Sequence, residues 1–387
     1  MTALAPGIER LLALGPDGRH PASAALGVVA GESREVAVGG WAVLPDGDGP
    51  GVPMSRDTLI DLASVTKVAV TTLLVMQLVA DGRLDLADPV RRYLPAFAGD
   101  GKDDVTLEHL LTHTAGLRPW WPLYAETTDR DAAVRWVEAA PLVSAPGTAW
   151  AYSDLGLILA GRVVEEVTAM PLGEAFRTRV AEPLGLRAQL GPVAPERAAV
   201  SADDDAYEYA MVTTGTPYAV PFGPERFVGW RETPLRGAVR DGNAAHALGG
   251  VAGHAGLFAT VDDLLTLGTA VRRGEIVPHD VLARFAEPSA ANAEQAVGFR
   301  RRVLSVDGED VTLLHHPGFT GTSFGFTLER DLVVAGAAMR LYGTVGPIAY
   351  DPPPTALPDL IPSDQIQAVV LEAGLRLLNP RPAVRNP

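Results

Sequence analysis

The chain has no cysteine. Disulfides, thiolate metal sites and cysteine nucleophiles are thereby excluded, although compartment is not decided, because secreted proteins of this size can also lack cysteine. Lysine is nearly absent: of 32 basic residues, all but Lys67 and Lys102 are arginine. Positive charge is scarce overall, with 47 acidic residues against those 32 and a formal charge of −15. Nucleic acids and anionic membranes recruit basic patches, and the longest basic run is Arg300-Arg301-Arg302, so neither is expected as a partner. No run of apolar residues approaches the length of a membrane span. Residues 1–19 carry Glu9, Arg10, Asp17 and Arg19 around a short apolar patch, unlike a secretory leader, which makes a cytoplasmic location the expectation. What remains is ordinary globular composition, 47% hydrophobic and 20% charged over 387 residues, enough for one large or two interleaved domains.

Two Val-rich stretches, 23–30 and 35–44, flank a turn at Gly31-Glu32-Ser33-Arg34 and predict a hairpin near the start. A second strand-rich block lies late, over 311–314, 322–329 and 332–340. Between them the periodicity is helical, over 64–81, 107–112, 131–139, 154–168, 172–181 and 261–273, and a helix over 363–378 closes the chain. The economical architecture is α/β, of the α+β kind: an antiparallel sheet built from both chain ends (1–60 and 300–387), flanked by helices, with a mainly helical domain (61–299) inserted and the site between them. The Pro- and Gly-rich stretches 191–240 and 352–362 read as surface coverings or pocket walls.

The placement of Lys67 is chemically suggestive. It stands three residues after Ser64, and on a helix an i, i+3 pair shares one face within hydrogen-bond reach. A serine hydroxyl is a weak nucleophile until its proton is taken, and arginine could not serve as that base, since its guanidinium keeps its proton. Ser-x-x-Lys is short, and a helix cap followed by a solvated lysine is the alternative.

Two more segments join the pair. Residues 146–154, Pro-Gly-Thr-Ala-Trp-Ala-Tyr-Ser-Asp, deliver Tyr152 to the start of a helix, and 315–322, His-His-Pro-Gly-Phe-Thr-Gly-Thr, set a histidine and small residues before a strand. Ser64-x-x-Lys67, Tyr152-x-Asp154 and His316-x-Gly318 resemble, in order, the three motifs of the class C β-lactamase and penicillin-binding-protein superfamily of serine hydrolases. Leu-Leu-Thr-His-Thr-Ala-Gly-Leu at 110–117 and the glycine-rich 249–258 are similar to further segments of its esterase and D-peptidase branches. The resemblance implies Ser64 as nucleophile, Lys67 as base or proton relay, Tyr152 as second proton carrier, and an oxyanion hole of the Ser64 and Phe319 backbone amides. No cofactor or metal is implied.

Two positions depart from the lactamase pattern. His316 stands where the lactamases and peptidases carry a lysine that helps hold a substrate carboxylate; a neutral imidazole there favours esters or neutral amides. Asp154 stands where asparagine is usual in the lactamases. It either holds Lys67 protonated, shifting proton abstraction toward Tyr152, or caps its helix. His109 and His113 share a helix face but lack the zinc-protease order, so they do not read as a metal pair; His113 is expected to hydrogen-bond backbone, and the carboxylates at 203–205 to be solvated. Trp121, in a Pro-containing loop, is a candidate for lining the pocket along with Asp154, His316 and Gly318. The expected function is an acyl-Ser64 hydrolase of a small ester or amide. The alternatives are a transacylase using an amine or alcohol acceptor, a D-aminopeptidase or β-lactamase-like enzyme, and a silent ligand-binding protein.

Overall fold

The computed structural model describes residues 2–16, 18–46, 49–344 and 353–379. In chain order its strands are β1 Ser23–Ala30, β2 Ser33–Val43, β3 Val52–Pro53, β4 Ile60–Asp61, β5 Gln189–Leu190, β6 Leu257–Ala259, β7 Pro288–Ser289, β8 Asn292–Ala296, β9 Arg300–Val306, β10 Glu309–Gly318, β11 Thr322–Thr327 and β12 Leu332–Ala338. Nine of them form one sheet in the order β3-β2-β1-β12-β11-β10-β9-β8-β7, and β4-β6-β5 form a small second sheet. The two chain ends meet in the large sheet, where β1 pairs antiparallel with β12 from Ala24↔Ala338 to Ala30↔Leu332. The first hairpin closes more tightly than the sequence suggests: Ala30 pairs with Ser33, leaving Gly31-Glu32 as the turn, with Gly31 at φ 56.

β11 and β12 are buried along their whole length, which explains their unbroken apolar character. On one face lie the helices Ala5–Leu12 and Ser363–Leu378, whose Ile8, Leu11, Ile366 and Val370 pack with Leu26, Val28, Leu332 and Val334. On the other lies the helix Val261–Arg272, so close that a Cβ at Gly27 would stand 2.3 Å from Val261 Cγ1. The later of the two chain segments that build the large sheet begins at Pro288 rather than at residue 300, because β7 and β8 extend its edge. β9 was not anticipated, since Arg300-Arg301-Arg302-Val303 lacks an apolar alternation.

The central helical run of the insert is Ala63–Ala80, 18 residues with mean hydropathy 1.6. This corrects the expectation drawn from the sequence: by length and composition it could cross a membrane. It is, however, 83% buried as a core helix, and Val68, Leu73, Leu74 and Leu78 are closed in by the insert. Stretch 191–240 contains an unexpected helix, Ala206–Thr214, whose Tyr207 and Met211 pack with Leu235, Leu341, Leu357 and Leu360 and with the Phe319 ring. That cluster also anchors most of the 352–362 stretch; Pro352 itself lies outside the described residues. Nor are the 203–205 carboxylates uniformly solvated: Asp205 is buried against Arg231 and His246.

Candidate active site

The turn leading into the Ala63–Ala80 run is tied down from three sides. Asp61, fully buried, accepts from the Ala63 amide at 2.9 Å and from the Arg240 amide at 2.7 Å. Burial pushes its carboxyl up to about 6, against the opposing pull of those two amides. From the β10–β11 turn, Thr320 Oγ1 donates to the Asp61 carbonyl (2.7 Å) and Thr322 Oγ1 to the Leu62 carbonyl (3.0 Å). Leu62 donates its own amide to the Leu257 carbonyl at 2.9 Å. Within this frame Ala63 adopts φ 45, a left-handed conformation that costs a non-glycine residue about 1 kcal/mol and is found where surrounding contacts over-determine the backbone. The next residue is Ser64. The same stitching seats the turn bearing Phe319 beside Ser64, and it requires a glycine at 318, where a Cβ would stand 2.0 Å from Thr322 Oγ1 and 2.4 Å from the Leu62 carbonyl oxygen.

Lys67 begins a widened, π-wound stretch, Lys67–Thr72, of the same run, a feature frequent at functional sites. Its side chain is completely buried. Nζ donates to Ser64 Oγ at 2.8 Å and to the His254 carbonyl at 3.2 Å, and lies 2.7 Å from Asp154 Oδ1. Burial pulls the ammonium's pKa down, but the charge of Asp154 and the Tyr152 hydroxyl outweigh it and hold Lys67 above its ordinary value. Part of the glycine-rich 249–258 stretch packs against this run, with Thr71 Oγ1 donating to the Gly253 carbonyl at 2.7 Å and the Leu257 amide donating to Thr66 Oγ1 at 3.0 Å.

Tyr152 closes the group. Its ring centroid is 5.0 Å from Lys67 Nζ, and its hydroxyl interacts with both Lys67 and Ser64. Burial raises its pKa despite the neighbouring ammonium. Lys67 Nζ and the Tyr152 hydroxyl thus both reach Ser64, and both groups favour their protonated forms. Tyr152 is positioned by the 110–117 segment: His113, at φ 59, takes the Ser153 amide on Nδ1 at 3.1 Å, accepts the Ala151 amide on its carbonyl at 2.9 Å, and sets its ring 4.6 Å from that of Tyr152 at a tilt of 43°. The backbone bond foreseen for His113 is present, and it serves the site. The helix that follows, Asp154–Thr168, is capped by the side chain of Ser153, which accepts from Gly156 N, so Asp154 is the ion-pair partner of Lys67 and not the cap.

His316 is buried with its ring 5.9 Å from that of Tyr152. Nδ1 lies 2.7 Å from the Pro317 carbonyl and so carries the hydrogen, leaving Nε2 as a buried lone pair without a partner among the described residues. Burial, reinforced by the charge of Lys67, keeps this imidazole neutral. The structure does not bring Trp121 to this group: its ring stacks on Trp136 at 5.3 Å, meets Phe222 edge-on and donates to Glu126 Oε1 at 3.1 Å. Its neighbour Trp120 stacks on Tyr218, whose hydroxyl feels Asp154 and Tyr152. Adjacent rings in a loop point opposite ways, and sequence alone does not tell which faces the cleft.

Three neighbours of the site escaped the sequence reading. Arg300, first in β9, lies with its guanidinium carbon 5.3 Å from the Tyr152 ring centroid. Asp241 pairs with His254 Nε2 at 2.9 Å; burial pushes the Asp241 carboxyl up, and His254 pulls it well below the usual range. Asp154, Asp241 and His254 offer metal-ligand atoms within 4.8 Å of one another, yet Asp154 already faces the Lys67 ammonium and Asp241 the His254 ring. The third is Asp61, whose place three residues before Ser64 was the available signal.

An antiparallel sheet built from both chain ends, with Ser64, Lys67 and Tyr152 gathered where the helical insert meets it, is the architecture of the serine β-lactamases and penicillin-binding proteins. A penicillin-binding protein homologue from Caulobacter crescentus superposes with a TM-score of 0.68 at 23% identity, over 96% of this chain and 95% of that one. EstCE1, a hydrolase with promiscuous acyltransferase activity, gives 0.67 at 22% identity over 95% and 98% of the two chains. The chain belongs to the beta-lactamase family, whose model matches residues 8–350. Among curated relatives it is 39% identical over 243 residues to esterase EstB of Burkholderia gladioli, covering 57% of this chain and 59% of the esterase. It is 31% identical over 267 residues to an N-acetylmuramyl-L-alanine amidase of Bacillus subtilis, covering 64% and 59%. The chain thus matches about three fifths of the length of these curated relatives.

Proposed function

We propose that the protein is a serine acyl-enzyme hydrolase of the carboxylesterase or amidase type, acting on a small ester or amide through Ser64. The observation that carries this is the 2.8 Å bond between Lys67 Nζ and Ser64 Oγ inside a buried group that also holds Asp154 and Tyr152. The reactive form is the minor fraction in which the site has released one proton to solvent, leaving a Tyr152 phenolate beside the Lys67 ammonium; Ser64 Oγ attacks the carbonyl carbon while its proton passes to that phenolate, and the Ser64 and Phe319 amides receive the developing oxyanion. With Asp154 stabilising the Lys67 ammonium, Tyr152 is the principal proton acceptor. As the carbonyl re-forms, the bond to the leaving alcohol or amine breaks and Tyr152 returns the proton to it. Water then attacks the acyl-Ser64 ester, giving its proton to the Tyr152 phenolate, and Ser64 is released with its proton restored.

The likeness to esterase EstB favours ester cleavage over amide cleavage. The fold shared with EstCE1 keeps acyl transfer to an amine or alcohol as a second reading. The experiment is intact-protein mass after brief exposure to p-nitrophenyl acetate, on the natural protein and on Ser64→Ala, with and without an added amine. An acetyl adduct on the natural protein alone supports the nucleophile; an adduct of equal size on Ser64→Ala refutes it. Faster p-nitrophenol release with amine, together with an acetylated amine product, favours transfer.

A further inference from the structure

We propose that Arg340 and Arg240 are the positioning residues of the oxyanion hole, acting through Phe319, whose ring lies under both guanidiniums and whose carbonyl is bonded by Arg340. This rests on the reading of Ser64 as nucleophile and of the Phe319 amide as the second oxyanion donor. It gives a role to two buried cations that no proton-transfer step uses. The guanidinium carbon of Arg240 stands 4.5 Å from the Phe319 ring centroid, and that of Arg340 stands 5.0 Å from it. Tyr207 adds a tilted ring at 5.6 Å.

Each arginine also fixes backbone on one side of the hole. Arg340 Nε donates to the Phe319 carbonyl at 2.7 Å, its amide donates to the Thr320 carbonyl at 3.2 Å, and Nη1 anchors the group to the Ile361 carbonyl at 2.7 Å. A turn of the Phe319 backbone would break the first of these bonds and the ring contacts together. Arg240 works from the other side. Its amide donates to Asp61 at 2.7 Å, and Asp61 takes the Ala63 amide, just before Ser64, at 2.9 Å. A residue tied to the Ser64 turn by its backbone thus reaches Phe319 with its side chain, and the spacing of the two oxyanion amides is set by that bridge.

Both side chains are closed to substrate, at 5% and 7% exposure for Arg240 and Arg340. Arg240 has Glu208 at 3.5 Å, with Nη2 buried and unpartnered among the described residues. Arg340 has no acid within ion-pair distance among the described residues, and burial pulls its guanidinium down to about 10, still protonated at neutral pH. Burying a cation with so little compensation costs stability, and a position kept only for packing is better filled by an apolar residue. Positive charge of this kind favours a negative oxygen forming nearby, as in the tetrahedral state, over the neutral carbonyl of the bound substrate.

The test compares kcat, KM and inhibition by phenylboronic acid in the natural protein, Arg340→Gln, Arg340→Lys and Phe319→Leu, with p-nitrophenyl acetate as substrate. The boronic acid adds to Ser64 Oγ as a tetrahedral anion, so its affinity reports the hole as the transition state uses it. Arg340→Gln removes the charge and the ring contact yet can still donate to one carbonyl. Phe319→Leu keeps the amide and carbonyl and removes the ring. Each should lower kcat and boronate affinity together, by about tenfold or more, with KM changed by no more than about twofold. Arg340→Lys, which keeps the charge and a donor, should recover part of the loss. Preserved kcat in either Arg340→Gln or Phe319→Leu overturns the proposal, and so does a loss of boronate affinity matched by an equal rise in KM, the mark of a general disturbance of the cleft. The nucleophile reading fails separately, by an acetyl adduct of equal size on Ser64→Ala.

Discussion

Asp154 Oδ1 lies 2.7 Å from Lys67 Nζ, while Ser153, one residue earlier, does the capping of their shared helix start. The carboxylate is therefore an electrostatic part of the site, and under the proposed mechanism it decides which of Lys67 and Tyr152 takes the first proton. On the proposed mechanism Lys67, held as an ammonium, orients Ser64 Oγ, and the Tyr152 phenolate accepts the proton. Replacing Tyr152 with Phe should then cost about a hundredfold or more in kcat. Asp154→Asn removes the counter-charge from a buried ammonium and lowers the pKa of Lys67. The alkaline limb of kcat/KM should move down by at least about one pH unit. A profile superimposable on that of the natural protein would show that the ion pair does not govern the relay.

Gly318 is fixed by space, in the turn that carries the proposed oxyanion donor Phe319. A methyl at this position would meet Thr322 Oγ1 and the Leu62 carbonyl, the two atoms whose hydrogen bond ties the Phe319 turn to the Ser64 turn. Gly318→Ala should force these turns apart. The loss expected for a displaced oxyanion donor is about 10²–10³-fold in kcat, with overpacking costing roughly 1–3 kcal/mol of stability. Steady-state kinetics and thermal unfolding on one preparation separate the two: a fall in melting temperature with kcat preserved would remove Phe319 from the oxyanion role.

How much of this was legible before the structure follows from the range of each interaction. Ser64 and Lys67 are one helical turn apart, so their meeting is local, and the helix over 154–168 was readable from its periodicity down to its last residue. β11 and β12 were legible because burial on both faces writes a continuous apolar run. Arg300 was hidden because its place beside the site depends on β9 pairing with β10 and on its side chain reaching Trp150 and Tyr152, contacts that no local pattern encodes. The helix Ala206–Thr214 was masked by the Pro and Gly around it, and the turn from Trp120 to Trp121 left the facing ring undetermined.

Glu208 gives stability a pH dependence of known sign. It is buried, takes the Gly242 amide at 3.1 Å and has Arg240 Nη1 at 3.5 Å, yet burial pushes its carboxyl up to about 7. A carboxyl whose folded pKa exceeds its unfolded value binds its proton more tightly in the native state. Its contribution is full below the unfolded value, about 4.3, and is lost as pH rises through the folded one. Glu208→Gln keeps an acceptor for Gly242 and cannot ionise. Between pH 5 and 8, roughly the window set by that shift, the melting temperature of the natural protein should fall relative to that of Glu208→Gln. Parallel curves would place the titration elsewhere.

His113 is a positioning residue, and its substitution should show that in a particular way. It holds the backbone on both sides of Tyr152, through the Ser153 amide and the Ala151 amide, without touching Ser64. Burial first, then the charges of Lys67 and Arg300, keep its imidazole neutral, so its loss removes an acceptor and not a charge. His113→Ala leaves the Ser153 amide without that acceptor and frees the Tyr152 ring. A misplacement on the order of 1 Å costs up to about 10² in rate when it falls on a proton-transfer group. We therefore expect kcat to drop at least tenfold with KM and the pH limbs unchanged, and His113→Asn, which can still accept through Oδ1, to recover part of the loss. A shift of either pH limb in His113→Ala would mean that the imidazole itself takes part in the titration of the relay.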